Sequence, residues 1–366
     1  YKYKYKYKYK YKYKYKYKII IESLSLFMGN KHNHRNYLIR PVNHPLKQRG
    51  VALMLVIFVF ALVSILSVGM YNRQHIFVQT AGNVMAQGQA YEYAIASEVY
   101  GRRLLKADWD EDKDKSEFVD DIEQINNSIF LPVEEAFLEA QFNDVQGKLN
   151  INDLVLLNGK VNTIMKERFN RLFKRLSIQT IKVEAIIDWL DENQDPEGFE
   201  GMEDGEYLSL YPPSRNAGQS MKDISELRLL PNVSIEDFQK LLPHVTVLPQ
   251  GRAPININTA SEEVLQSLTE TLSDQQAKTL IEQRKETPWK DLQSFESDPL
   301  ISASGLKQDY LGVNSEFFEI ATRISLSDRV VRLVSLIYRA NNDGVMKIIS
   351  RDQSQKYLIT KEKATL

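Results

Sequence analysis

Lys47-Gln48-Arg49-Gly50, followed without a break by VALMLVIFVFALVSILSVGM from Val51 to Met70, decides how the rest of the chain folds. Those 20 residues carry no charge, and at about 1.5 Å of rise each they span about 30 Å, the thickness of a bilayer's hydrocarbon core. The other reading is a buried core helix, but helices of soluble proteins rarely stay apolar on every face for five turns. Lys31, Arg35, Arg40, Lys47 and Arg49 precede the run, and only Arg73 follows it closely. The positive-inside bias therefore expects one pass, with the N-terminus cytoplasmic and everything beyond Met70 on the far side.

Upstream, residues 1–18 are nine Tyr-Lys repeats, an apolar stretch runs from Ile19 to Phe27, and the first Met is Met28. So regular a repeat has no turn and no pairing partner, and 1–27 is expected to be a low-complexity tract that is disordered or not translated. Residues 28–50 then read as a leader. A secretory signal carries its small-residue cleavage site after the apolar segment, whereas here Gly50 stands before it. A basic stretch ending in Gly ahead of a long apolar helix resembles the leader of type IV prepilins and type II secretion pseudopilins. That resemblance implies that a membrane peptidase cuts between Gly50 and Val51, leaving the helix on the mature chain. Most such proteins carry Glu at the fifth mature position, and this chain has Leu55. An unpaired carboxylate at mid-membrane costs roughly 2.5–3.5 kcal/mol, so Glu is useful only to a subunit with a neighbour to pair with. A subunit lacking it suits the end of a filament. The alternative at this point is a signal anchor unrelated to pilins.

Downstream, residues 71–106 contain no Pro, and Ala81, Met85, Ala86, Ala90, Tyr93, Ala94, Ala96 and Val99 extend the helical pattern. Membrane span and extension together make a rod of about 55 residues, roughly 80 Å. Gly82, Gly88 and Gly101 each cost it about 1 kcal/mol relative to Ala. Strand signals follow around Lys148 to Ile151, with Gly147 as the turn, and near the C-terminus. There FFEIATRISL (Phe317 to Leu326) and RVVRLVSLIYR (Arg329 to Arg339) form a hairpin across Ser327-Asp328, with Met346 to Ser350 as a further strand. The fold class is therefore α+β: a long N-terminal helix on a small antiparallel sheet, interrupted by a large, mainly helical insertion. The expected divisions are 51–70 membrane helix, 71–152 helix and first strands, 153–312 insertion, 313–350 C-terminal strands and 351–366 tail.

Composition narrows the chemistry. Residues 1–50 hold 14 of the 47 Lys+Arg and one of the 48 Asp+Glu, which leaves 33 basic against 47 acidic beyond them, a net of −14. Nucleic-acid binders gain most of their affinity by neutralising phosphates, so this balance opposes one. With no Cys, disulfides, thiolate zinc sites and thiol catalysis are all absent, and only His75 and His244 lie beyond residue 50. No nucleophile–base pair, Walker loop or Gly-rich cofactor turn occurs, so no enzyme is expected.

Within the insertion, Ile178, Ile181, Ala185, Ile186, Trp189 and Leu190 recur at helical spacing as core positions. They lead into DWLDENQDPEGFEGMEDGEYLSLYPP, in which Asp188 to Glu206 hold nine acidic residues and no basic one. Clustered carboxylates repel unless water or a hard cation separates them. Asp191, Asn193 and Asp195 match the opening D-x-N-x-D of a calcium loop. The match then fails, because Pro196 stands where an EF-hand needs Gly and Met202 where it needs Glu. Glu203, Asp204 and Glu206 are candidates to complete a different oxygen site, and a solvated acidic loop is the other reading.

A second motif is Asn256-Ile257-Asn258-Thr259-Ala260, followed by Glu263, Leu265, Leu268, Ala277, Leu280, Ile281 and Arg284. It resembles helix-hairpin-helix modules, including those of competence DNA receptors, with Thr259 as the N-cap of the first helix. Such modules bind phosphate through a Gly-rich turn with outward amides. Here that turn is Thr269 to Asp274, acidic and without Gly, so structural use is expected.

Taken in order, several motifs are similar to one family, the minor pseudopilin K (general secretion pathway protein K) of the type II secretion system. They are Arg49-Gly50-Val51-Ala52-Leu53 with Leu55, Asp188-Trp189-Leu190-Asp191, Tyr207-Leu208-Ser209-Leu210, Leu248-Pro249, Asn256-x-Asn258-Thr259-Ala260 and Ser315-Glu316-Phe317-Phe318. The resemblance runs from about Lys47 to Arg339. It implies a pilin-like domain with a helical insertion, in the inner membrane and periplasm, that caps the pseudopilus tip with minor pseudopilins I and J and helps to initiate its assembly. It also implies processing by prepilin peptidase with N-methylation, and calcium held within Asp191, Asn193, Asp195, Glu203, Asp204 and Glu206. Two other classes stay open: a membrane-anchored periplasmic helix-hairpin-helix DNA receptor, and a periplasmic hydrolase using His244.

Overall fold

The computed structural model describes residues 49–112, 128–133, 136–302, 304–326 and 329–354. The Tyr-Lys tract, the leader before Arg49 and the tail from residue 355 lie outside the described residues. The chain divides into two compact units, Tyr1–Gln74 and His75–Leu366.

In the first unit the helix α1 (Arg49–Asp112) begins, and the residues from Val51 to Met70 are nearly all exposed. Val51, Leu55 and Phe60 are 62%, 60% and 73% exposed, which is unfavourable in water and needs no compensation in lipid. By length and composition this stretch is sufficient to cross a membrane.

In the second unit α1 packs on a five-stranded antiparallel sheet ordered β1-β2-β7-β8-β9. The strands are β1 (Ser128–Val133), β2 (Ala136–Asp144), β7 (Phe317–Leu326), β8 (Arg329–Arg339) and β9 (Met346–Asp352). Alternate residues of β2 and β7 face the helix. Leu138, Ala140, Phe142, Phe318, Ile320 and Ile324 are buried there against Ala90, Ala94 and Leu105. The two strands of the expected C-terminal hairpin pair with Phe317 opposite Tyr338 and Leu326 opposite Arg329, and the Ser327-Asp328 turn lies outside the described residues. The third strand, β9, runs two residues past Ser350.

Helix and sheet approach closely at Gly101, where an added Cβ would fall against Phe142 Cε1 and 2.7 Å from Ile320 Cδ1. Gly82 and Gly88 have open space around them. We therefore expect opposite signs in thermal unfolding of the full chain. Gly101→Ala lowers the midpoint, because overpacking of about 1–3 kcal/mol outweighs the roughly 1 kcal/mol of helix propensity gained. Gly88→Ala keeps that gain and raises it. A rise for both would show that α1 does not pack there.

Three polar ties also hold α1 to the sheet. Glu98, fully buried, accepts from Arg351 Nε at 2.7 Å and Nη2 at 2.9 Å and from Ser335 Oγ at 2.7 Å. Arg339, also fully buried, donates to Asp108 Oδ2 at 2.7 Å and Leu105 O at 3.0 Å, with its guanidinium 4.6 Å from the Phe318 ring centre. Thr322 donates to Ser97 Oγ at 3.1 Å.

Between the neighbouring strands β2 and β7 the chain leaves the sheet to form the insertion. Its helices are α2 (Thr163–Leu176), α3 (Val183–Leu190), α4 (Asp204–Leu208), α5 (Ile235–Leu241), α6 (Glu262–Leu268), α7 (Asp274–Glu286), α8 (Leu292–Glu296) and α9 (Pro299–Ser302). They share one core, with Phe169, Leu172, Ile186, Leu265, Leu280 and Phe295 at its centre. The strand expected around Lys148 to Ile151 is the two-residue β3 (Leu149–Asn150). It pairs in parallel with β4 (Val245–Thr246) inside the insertion, not with the main sheet. A second such pair joins β5 (Ile255–Asn256) to β6 (Leu311–Gly312). Ile178 and Ile181 pack in this region as expected, but α3 starts only at Val183, so both precede the helix.

Candidate functional site

The acidic loop is folded around a residue that the candidate ligand set left out. On α3 the apolar face of Val183, Ile186, Ile187 and Leu190 is buried, and Asp188 is fully buried with it. Burying a carboxylate is costly unless its oxygens are satisfied. Asp188 Oδ1 accepts from the amide of Glu197 at 2.9 Å and Oδ2 from that of Met202 at 2.6 Å. The loop is thereby wrapped back onto its parent helix. Gly201 permits the wrap, since a Cβ there would fall against Asp188 Oδ2 and 2.6 Å from Glu197 N. Asn216 closes the other arm, donating from Nδ2 to Asp188 O at 3.3 Å and to Glu203 Oε2, and from its amide to Asp204 Oδ1 at 3.1 Å.

Negative charge is concentrated at the centre of this wrap. Burial, with Asp191 and Glu197 nearby, pushes Asp188 up to about 6 against its two amide donors. Burial, with Asp188 and Asp191 nearby, pushes Glu203 up to about 7. Asp191 is raised for the same reasons, burial first, and Tyr207 is raised by burial and by Asp188 and Glu203. Asp191 Oδ1 and Glu203 Oε1 are buried with no hydrogen-bond partner. Among the described residues, Lys166 pairs with Glu184 and Glu197, Lys182 with Glu200 and Arg215 with Asp204, which are carboxylates other than Asp188, Asp191 and Glu203.

The six candidate ligands thus divide. Asp191 and Glu203 lie near enough to Asp188 for their charges to interact, and each offers an orphaned oxygen. Asn193 and Asp195 are exposed, in a turn where Asn193 Oδ1 accepts from Asp195 N at 2.7 Å. Asp204 is engaged by Arg215 at 3.1 Å and by Asn216, and Glu206 caps the amide of Glu203 at 2.9 Å. Among the described residues no three His, Cys, Asp or Glu side chains converge as a metal site. The donors on offer are all oxygens, which suits a hard cation. Gly50 and Val51 both lie on α1 and are exposed.

The Asn256 motif is consumed internally. Asn258 Nδ2 donates to the carbonyls of Trp289 and Val313, each at 2.9 Å, and its Oδ1 accepts from Trp289 N at 3.0 Å. Thr259 does not cap α6. Ser261 does, accepting from Val264 N, while the Thr259 hydroxyl donates to Asp144 at 2.5 Å. In the α6–α7 connection, Arg171 donates to the carbonyls of Ser267 at 2.6 Å and Leu268 at 3.2 Å. Arg175 donates to that of Leu272 at 3.4 Å and pairs with Asp274 at 2.9 Å. His244 meets Ser261 Oγ at 3.0 Å and Glu263 Oε2 at 3.7 Å through the same nitrogen, Nδ1. A catalytic triad uses both ring nitrogens.

Comparison with known proteins agrees with this architecture. The sequence profile described as type II secretion system (T2SS), protein K matches residues 147–250 and 255–314 in two parts. A solved structure, the GspK-GspI-GspJ complex of the enterotoxigenic Escherichia coli type 2 secretion system, superposes with a TM-score of 0.62. It is 23% identical and covers 74% of this chain and 97% of its own, which shows the fold. Type II secretion system protein K of Aeromonas hydrophila is 26% identical, covering 82% of this chain and 96% of its own. That of Pseudomonas aeruginosa is 32% identical over 316 residues, covering 84% of this chain and 93% of its own, and on that likeness this chain belongs to the type II secretion system protein K family.

Proposed function

We propose that this minor pseudopilin caps the tip of the type II secretion pseudopilus, in a complex with minor pseudopilins I and J, and helps to start its assembly. The observation that carries the reading is the insertion of an entire helical region between the neighbouring strands β2 and β7 of a pilin-like sheet. Bulk at that position leaves little room for a following subunit. Leu55 in place of a membrane carboxylate fits a subunit at the end of a filament. The relative in the solved complex is bound to GspI and GspJ, which supports the same partners here.

In this reading the chain crosses the inner membrane once, through residues 51–70, with its N-terminus cytoplasmic and the remainder periplasmic. Prepilin peptidase cuts between Gly50 and Val51, and the new amine is methylated. Residues 71–152 and 313–350 make the pilin-like part and 153–312 the insertion. The α6–α7 pair keeps a helix-hairpin-helix-like form as a packing element. Its acidic turn, with carbonyls held by Arg171 and Arg175, offers no phosphate site, so the DNA-receptor alternative is not favoured. His244, with both partners on one nitrogen, does not favour a hydrolase. The role is mechanical, not enzymatic. Calcium is the structural cofactor, and Asp191 and Glu203 are the residues that would hold it.

Two measurements on the cell-derived protein test this. Mass spectrometry of the membrane-extracted chain should find Val51 at the N-terminus, and an intact leader on secretion-competent protein would exclude the processing. Gold-labelled antibody against the insertion should mark filament ends, whereas label along the shaft would exclude the tip.

A further inference from the structure

Three separate segments of the second unit meet at one buried carboxylate that the secretion role does not explain. Asp144, the last residue of β2, is 7% exposed. Its Oδ1 accepts from Gln146 N at 2.7 Å. Its Oδ2 accepts from Thr259 Oγ1 at 2.5 Å, Ser315 Oγ at 2.7 Å and Asn256 Nδ2 at 3.1 Å. The chain leaves the sheet at Asp144 and returns through Ser315 to β7, so this carboxylate ties exit, return and the Asn256 motif together. Gln146 repeats the pattern. Its Oε1 accepts from the amides of Glu316 at 2.6 Å and Phe317 at 2.9 Å, and its Nε2 donates to Pro254 O at 2.9 Å. Gly147 lets the exit segment pass so near that a Cβ would lie 2.6 Å from Thr259 O.

Apolar packing joins insertion and sheet beside these bonds. One small buried apolar cluster, Val145, Leu248, Ala253 and Phe317, bridges them. Beside it is a cleft of about 80 Å³, lined from the insertion by Lys148, Lys222 and Val245 and from the sheet by Glu319, Leu336 and Asp352. A small apolar contact with an open cleft does not by itself fix an angle, because either side can slide without exposing much surface. Directional hydrogen bonds to one carboxylate do fix it.

We propose that Asp144 is the positioning residue of this joint, holding the helical insertion at a single attitude on the pilin-like sheet. Asn256 also donates to Ser315 Oγ at 2.9 Å, and Asn258 keeps its bonds to Trp289 and Val313. Removing Asp144 therefore loosens the link to β2, leaving Gln146 to hold the exit segment, while the insertion's own framework stays intact. What the fixed attitude serves rests on the tip reading, but the measurement does not.

The chain has no Cys, so two can be introduced as unique labelling sites. With Lys278→Cys on α7 and Ile349→Cys on β9, both at exposed positions, spin labels on the full chain in nanodiscs report the insertion-to-sheet distance. One narrow distribution is expected, broadened at least twofold by Asp144→Ala. Leu172→Ala, in the insertion core, is the control for lost stability and should stay narrow. Should Asp144→Ala fail to fold, Thr259→Val, which removes one donated bond at constant size, is expected to broaden the distribution in its place. An unchanged width in the folded variant, or equal broadening by Leu172→Ala, would overturn the proposal.

Discussion

Arg351→Leu is expected to cost about 3–5 kcal/mol, more than the removal of its partner Glu98, and acid is expected to recover part of the loss. The asymmetry follows from burial. The Glu98 side chain is 1% exposed and that of Arg351 is 39% exposed. Without Arg351 the carboxylate stays buried, with Ser335 at 2.7 Å and Arg102 only at 3.7 Å. Without Glu98 the guanidinium turns to water. In a unit of this size each kcal/mol moves the melting midpoint by about 2–4 °C, so Arg351→Leu should fall roughly 6–20 °C. Glu98→Leu with Arg351→Leu should recover most of that, because a well-packed apolar pair often replaces a buried ion pair at little cost. Burial alone would raise the Glu98 pKa, but the bonds from Arg351 and Ser335 and the charges of Arg351 and Arg102 outweigh it and hold the group below its ordinary 4.5. A depressed carboxyl contributes stability that is present above the unfolded pKa and lost as pH falls through the folded one. The unaltered chain should therefore weaken below about pH 4.5. In Arg351→Leu the sign reverses, since the buried carboxylate now gains by binding a proton. A variant equally weak at pH 5 and pH 8 would mean that the loss is packing alone.

The elements that the sequence showed clearly are those whose pattern is local. Val51 to Met70 is apolar on every face, and β7 and β8 alternate with a period of two, so neither needs a distant partner to be recognised. β2 is not evident in the sequence, although Leu138, Ala140 and Phe142 alternate in it, because Ala136, Glu139 and Ala140 are residue types that strands disfavour. It is a strand because β7 pairs along one of its edges and α1 covers one of its faces, and both contacts span long stretches of sequence. The N-cap of α6 was misassigned to Thr259 for a related reason. Its hydroxyl is claimed by Asp144, 115 residues away, and the cap passes to Ser261. In the acidic loop, the carboxylate count was visible but its division of labour was not. Asp188 sits at an apolar helical position, and that oddity was the one signal that it turns inward to organise the loop. Asp204 and Glu206 look like ligands in sequence, yet Arg215, Asn216 and the amide of Glu203 use them.

Calcium should raise the melting midpoint of the full chain, because the wrapped loop keeps buried carboxylate oxygens that nothing in it neutralises. A ligand at 100 times its dissociation constant adds about 2.7 kcal/mol, or roughly 5–11 °C here. Chelation should return the midpoint. The variants separate a specific site from general screening of an acidic surface. Asp191 Oδ1 and Glu203 Oε1 are the orphaned buried oxygens, and the Asp191 and Glu203 side chains repel each other and Asp188. Asp191→Asn and Glu203→Gln each remove one charge from that cluster, so each should stabilise the metal-free chain and abolish the calcium shift. Asp195→Asn, at an exposed position in the turn, should change neither. Magnesium demands near-ideal octahedral geometry and gives up its water reluctantly, so it should substitute poorly. Equal shifts from both cations, surviving Glu203→Gln, would assign the effect to surface charge and leave the loop without a metal.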